Sequence, residues 1–221
     1  MKKSGRLWDL EQKVSDLKFK VLSLKPTSRK NDYFDVILEN GNKYNFHEKS
    51  ISRYNIKENQ PIEHKVIHKA LDYTERENIK KKIIVLLSFR QRSKKELKDT
   101  FLSKGYKIEN ILNVIDELEQ RKYLNDSLFI KMMASHLIKE KKLGRYLVEQ
   151  KLFQHGIDFS VMDPIISSLY KKYPQSKTIK EILNKRNISK VDSLKNKIKM
   201  INYLKRKGFY FDDINTIIES Y

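Results

Sequence analysis

The chain has no cysteine, which excludes disulfides, thiolate nucleophiles and zinc–thiolate sites. It holds only 6 glycines and 4 prolines in 221 residues, a scarcity that favours helices over a loop-rich β fold. No apolar run approaches the ~18 residues that a membrane span needs. Lys2 and Lys3 are not followed by the apolar run of a signal peptide. These absences lead to the expectation of a cytoplasmic protein without a membrane partner. Acidic side chains are also in short supply, 28 against 47 Lys and Arg, for a net charge of +19.

The charge is unevenly spread. Residues 1–60 carry a net +5, residues 61–126 a net +4 and residues 127–221 a net +10. A polyanion, or a surface lying beside one, is the natural partner of the C-terminal half. A lysine-rich composition with no functional meaning is the plain alternative.

Catalytic and metal chemistry finds little support. His64 and His68 share a helix face, but no glutamate lies between them in the metalloprotease pattern and no further ligand is near in sequence. His136 falls in an apolar stripe. There is no Gly-rich phosphate loop, and no carboxylate pair sits in a recognisable catalytic motif. The expectation is therefore no catalytic residue, no metal, no cofactor and no enzyme activity.

The stretch from Ser93 to Asp126 organises the chain. Ser93 stands three residues before Glu96, the spacing of a capping box. Leu97, Phe101 and Leu102 form an apolar stripe that Gly105 ends. Ile108, Ile111, Leu112, Ile115 and Leu118 mark a second amphipathic helix, and Asn125 or Asp126 caps a third. The pattern recurs on Gly105, Gly156 and Gly208, spaced 51 and 52 residues apart. Three residues after each glycine stand Ile108, Phe159 and Phe211. Such a period reads as one supersecondary unit stacked to share a core.

The predicted organisation follows. Residues 1–14, with Leu7, Trp8 and Leu10, form an N-terminal segment. Residues 15–61 form a small β-rich module whose hairpin turns at Asn40-Gly41, read as a type I′ turn with positive φ at both residues. Three-helix units then occupy 62–124, 125–173 and 174–221, with a long helix opening the first at 62. The fold class is mainly α: tandem three-helix repeats with a small β-rich N-terminal module.

Basic residues gather at three places. Arg90, Arg92 and Lys94 precede the first repeated motif, and an arginine fork grips phosphate or carboxylate in two hydrogen bonds. Lys139, Lys142 and Arg145 occupy one inter-helix joint, and Lys205, Arg206 and Lys207 another. All nine are candidates for contact with a protein–nucleic-acid partner. The competing reading gives Ser93 a cap, pairs the arginines with nearby acids and leaves the lysines as a solvated face.

These residues resemble the RecX family of bacterial recombinase regulators. The resemblance rests on Arg90, Arg92, Ser93, Glu96 and Leu97, on Lys104-Gly105, on Tyr123-Leu124-Asn125-Asp126 with Phe129, and on Lys142, Gly144, Leu152, Gly156 and Ile157. It is specific over residues 70–170 and weaker beyond. It implies an elongated, right-curved stack that binds RecA and lies in the groove of the RecA–single-stranded-DNA filament. There it would inhibit filament growth, strand exchange, ATPase and coprotease activity, in DNA repair, recombination and the SOS response. A monomer is expected, and direct DNA binding without RecA is the alternative. Two positions depart from the family pattern: Lys122 replaces a glycine, implying altered geometry at that joint, and Ile130 replaces an alanine, demanding room.

Overall fold

The computed structural model describes residues 17–28, 32–185 and 194–220. The expected N-terminal segment with Leu7, Trp8 and Leu10, and residues 186–193 and 221 of the third expected unit, lie outside the described residues. The fold is mainly helical with a small N-terminal β module: ten helices and four strands among the described residues. Two compact units emerge, Met1–Val85 with Phe101–Glu117, and Leu86–Thr100 with Leu118–Tyr221.

In the first unit, β1 (Lys18–Pro26), β2 (Tyr33–Leu38), β3 (Lys43–His47) and β4 (Pro61–Glu63) form an antiparallel sheet in the order β3-β2-β1-β4. Alternation in β2 places Val36 and Leu38 inside with Val21 and Phe46, all essentially inaccessible. Each such side chain contributes ~1.5–3 kcal/mol of burial. The β2–β3 hairpin does turn at Asn40-Gly41, but not as a two-residue type I′ loop. Only Gly41 has positive φ, at +84°, and both Gly41 N–H to Leu38 O and Leu38 N–H to Asn42 O bonds are 2.9 Å. This is a three-residue loop with a left-handed glycine at its end, and the Asn40 side chain accepts from Asn42 N–H. A second refinement concerns residue 62. Pro61–Glu63 is an edge strand paired with Lys18–Lys20, and the helix begins only at His64. Pro61 lacks an N–H, which an edge position tolerates.

Helix α1 (Glu48–Arg53) and helix α2 (His64–Phe89) follow β3 and β4. Ile67 and Ala70 of α2 join the sheet's core. Polar contacts fix the register: Ser50 Oγ donates to Ala70 O at 2.7 Å, and His47 N–H donates to Thr74 Oγ1 at 3.1 Å. Buried Glu77 accepts from Lys49 and Lys80, each at 3.1 Å, and Lys80 also reaches Glu117 at 2.8 Å. Burial works to raise the Glu77 pKa, but the two lysines outweigh it and hold the carboxyl below its ordinary range.

Helices α3 (Lys94–Leu102) and α4 (Ile108–Gln120) continue the chain. In the second unit, α5 (Asp126–Lys139), α6 (Arg145–Gln154) and α7 (Phe159–Lys172) enclose Phe129, Ile130, Ala134, Val148, Leu152, Met162 and Ile166. Ile130 is fully buried, so the room that its extra bulk requires is present. Asn125 caps α5, its Oδ1 accepting from Leu128 N–H at 3.0 Å. Helices α8 (Gln175–Lys185), α9 (Leu194–Arg206) and α10 (Phe211–Glu219) enclose Ile179, Leu183, Leu204, Phe209 and Ile214.

Gly105, Gly156 and Gly208 all lie at positive φ, between +75° and +86°. After each one the next N–H returns to a carbonyl five residues back: Tyr106 to Phe101, Ile157 to Leu152 and Phe209 to Leu204. That is the Schellman closure of a helix C-terminus. The same closure forms at Lys122, with φ +61° and a 2.9 Å bond from Tyr123 N–H to Leu118 O. The altered geometry expected there does not occur; the lysine adopts the conformation that suits glycine, at a cost of ~1–2 kcal/mol.

Gly144 and Gly208 meet back to back. A Cβ on Gly144 would overlap the Gly208 carbonyl, and one on Gly208 would overlap the Leu147 backbone and Cβ. We therefore expect Gly144→Ala to destabilise the protein by at least ~2 kcal/mol, because backbone has no cheap way to yield. Lys122→Gly should stabilise it by about 0.5–1 kcal/mol. Urea unfolding followed by circular dichroism measures both, and equal midpoints for the three proteins would contradict this account of the joints.

Candidate partner-binding surface

Ser93 is buried, and its Oγ accepts from Glu96 N–H at 3.1 Å, which caps α3. In a capping box the Glu96 carboxylate would turn back to the Ser93 N–H. Here it takes both arginines instead. Arg90 donates through two nitrogens at 2.5 and 3.1 Å, and Arg92 donates through Nη1. Arg92 Nε is buried without a hydrogen-bond partner. Burial works against the Glu96 charge, but Arg90 and then Arg92 outweigh it and hold the carboxyl below its usual range. Lys94 pairs with Glu119 at 2.5 Å and approaches Asp126 at 3.8 Å. All three cations at this joint are thus engaged by the protein's own acids.

Arg145 is engaged more fully. Its Nε donates to Glu149 at 2.6 Å, one terminal nitrogen donates to Ser167 Oγ at 3.1 Å, and the other donates to Asp163. It ties α6 to α7, and its presence follows from helix packing. Lys142, at φ +52°, pairs with Glu181 of α8. Lys139 lies over the Tyr173 ring at 4.8 Å from its centroid.

The third cluster lies beside the second. Lys207 Nζ donates to Lys141 O at 2.9 Å, and Lys207 O accepts from Gly144 N–H at 2.9 Å. Lys139, Lys142 and Lys205–Lys207, more than sixty residues apart in sequence, therefore belong to one surface region. Lys205 Nζ lies 4.8 Å from the Phe211 ring centroid, and Arg206 is exposed. Aromatic side chains border this region: Tyr146, Tyr210 and Phe211 are 53%, 43% and 49% exposed. Lys172, Tyr173 and Lys177 line the same pocket as Lys139 and Lys142 and were missed from sequence. The run Lys171-Lys172-Tyr173 at the next joint was the available signal.

Among the described residues, no helix is long and apolar enough to cross a membrane, and no group of three or more His, Cys, Asp or Glu could hold a metal ion. His64 and His68 do meet, Nε2 to Nε2 at 3.3 Å.

No family model matches the chain. Curated relatives do. Regulatory protein RecX of Oceanobacillus iheyensis is 31% identical over 141 residues, covering 62% of this chain and 50% of the relative. Regulatory protein RecX of Clostridioides difficile is 27% identical over 167 residues, covering 75% and 78%. A crystal structure of regulatory protein RecX superposes with a TM-score of 0.72 at 16% identity, covering 92% of this chain and all of that one. The chain is similar in sequence to proteins named regulatory protein RecX and in fold to a RecX crystal structure. It spans about half the length of the RecX proteins of Oceanobacillus iheyensis and Streptococcus mutans that it matches. At 16% identity the RecX crystal structure speaks for the fold alone.

The Glu96 cluster has a pH signature. The folded pKa lies below the ordinary 4.5, so its contribution is present above that value and is lost as pH falls through the lowered folded value. Glu96→Gln should destabilise the protein by about 1–3 kcal/mol at pH 7. The gap between variant and parent should close as urea unfolding is repeated at progressively lower pH below 4.5. A gap independent of pH would show that the charge on Glu96 is not what the arginines hold.

Proposed function

We propose that this protein regulates RecA by binding the RecA–single-stranded-DNA filament groove and inhibiting filament growth, ATPase, strand exchange and coprotease activity. The observation that carries this reading is its similarity to proteins named regulatory protein RecX. The charge distribution supports it, since the residues beyond 126 carry a net +10 and the filament groove presents nucleic acid. Of the candidate contacts, Lys139, Lys142, Lys205, Arg206 and Lys207 are the ones that the fold gathers into one region. Arg90, Arg92, Lys94 and Arg145 act in this proposal by holding helices in place, because their charges are met internally.

The test is the single-stranded-DNA-dependent ATPase of the cognate RecA, with this protein added at less than one copy per RecA. A fall at substoichiometric amounts is expected, as for a protein acting on filament growth. Lys205→Ala with Arg206→Ala should raise the amount required several-fold. Inhibition that begins only when the protein saturates the DNA, and that is lost steeply with salt, would favour a basic helical DNA-binding module acting without RecA. No effect at any ratio would end the regulatory reading.

A further inference from the structure

A pocket of about 340 Å³ opens where α5, α7 and α8 converge. Four lysines line it: Lys139, Lys142, Lys172 and Lys177, against the single carboxylate of Glu181. Tyr173 stands among them, with the Lys139 and Lys172 ammonium groups 4.8 and 5.7 Å from its ring centroid. The Lys139 ammonium beside it holds the Tyr173 phenol below its ordinary range.

Helix packing accounts for two of these lysines. Lys139 and Lys172 end α5 and α7, where a cation is favoured by exposed carbonyls. The other two share one carboxylate, Glu181, to which Lys142 is bonded and whose charge Lys177 also favours. Lys177 lies in the first turn of α8, which contains no acidic residue and where the helix dipole opposes a positive charge. Lys142 sits at positive φ in the α5–α6 connection, an unfavourable backbone for lysine. Two cations held against their local preferences face two more across one concave site, and the first-turn N–H groups of α8 add to the same field. An anion relieves that repulsion. The volume suits a phosphoryl group with its attached sugar.

We propose that this pocket binds a phosphoryl group, of either a free phosphate ester or one backbone phosphate of a nucleic-acid strand, through Lys139, Lys142, Lys172 and Lys177. Glu181 is then the competitor: it holds Lys142 while the pocket is empty of anion and releases it on binding. Removing a lysine and removing Glu181 must therefore act in opposite directions; a general attraction to a basic protein gives the same signs but also weakens on a matched loss of charge elsewhere, which the pocket does not.

Pyrophosphate titrated into the full chain by calorimetry, in low salt and without RecA, is the experiment. Wild type should bind it saturably at one site. Lys177→Ala should bind it about ten-fold more weakly, the loss expected for one charged hydrogen bond. Glu181→Gln should bind it several-fold more tightly, while Lys25→Ala on β1, a matched loss of charge elsewhere, should leave it unchanged. Displacement of a labelled oligothymidylate by pyrophosphate identifies the source as a strand; a pocket that binds pyrophosphate while the oligonucleotide stays bound serves a free ester. Non-saturable binding, or equal affinities for wild type, Lys177→Ala and Glu181→Gln, overturns the proposal. Because RecA is absent, that failure leaves the regulatory reading standing, and a failed ATPase assay leaves the pocket standing.

Discussion

Helix α6 begins with three N–H groups that no side chain of its own caps. Gly144 N–H goes to Lys207 O at 2.9 Å, Arg145 N–H to Gln175 Oε1 at 2.9 Å and Tyr146 N–H to Gly208 O at 3.1 Å. Buried donors of this kind are costly when unmet. Two of them are met by the left-handed turn ending α9, sixty residues further on, and the third by Gln175 at the start of α8. The turn approaches closely enough to do so because both partners lack a Cβ at the point of contact. The arrangement of the second unit depends on this exchange of backbone hydrogen bonds. It also brings Lys205–Lys207 beside Lys139 and Lys142.

Charge is disposed in two ways around that frame. Where a cation lies next to a carboxylate in the folded chain, it is spent on structure. Arg90 and Arg92 share Glu96, Arg145 joins Glu149 to Asp163, and Lys80 joins Glu77 to Glu117. The acids run out toward the C-terminal half, so the lysines near residues 139–142, 172–177 and 205–207, apart from Lys142 on Glu181, stay largely in solvent or rest on aromatic rings. A chain with a surplus of cations must leave some uncompensated. Here the uncompensated ones are grouped, which gives a field that reaches about one Debye length, ~8 Å at physiological salt.

Much of the architecture was legible in the sequence because it rests on local rules. The Asn40-Gly41 hairpin, the Ser93 and Asn125 caps and the left-handed turns at Gly105, Gly156 and Gly208 all follow from single-residue conformational preferences. The turn at Asn40-Gly41 departs from type I′ for a reason of the same kind: one left-handed residue suffices when a third residue joins the loop. Phe159 and Phe211 show a different limit. They recur at one position of the repeated pattern, yet they are 58% and 49% exposed. Periodicity marks apolar character, and it does not reveal whether a neighbouring element covers the position.

The candidate surface divides along the same line. The resemblance to RecX proteins, the net charge and the location of the basic joints were properties of the chain as a string. Which cations remain open to a partner was not, because ion pairing depends on distances between residues far apart in sequence. Arg145 and Arg206 look alike in the sequence, each within three residues of a lysine and a glycine. Folding gives Arg145 two carboxylates and a hydroxyl, and it leaves Arg206 exposed. Lys177 likewise reads as one more charge on a helix. Only when α5 and α7 end against the first turn of α8 does it become one wall of a four-lysine pocket. Local preference determines the elements and their ends; the meeting of distant groups, through packing and Coulomb interaction, determines which charges are left to act.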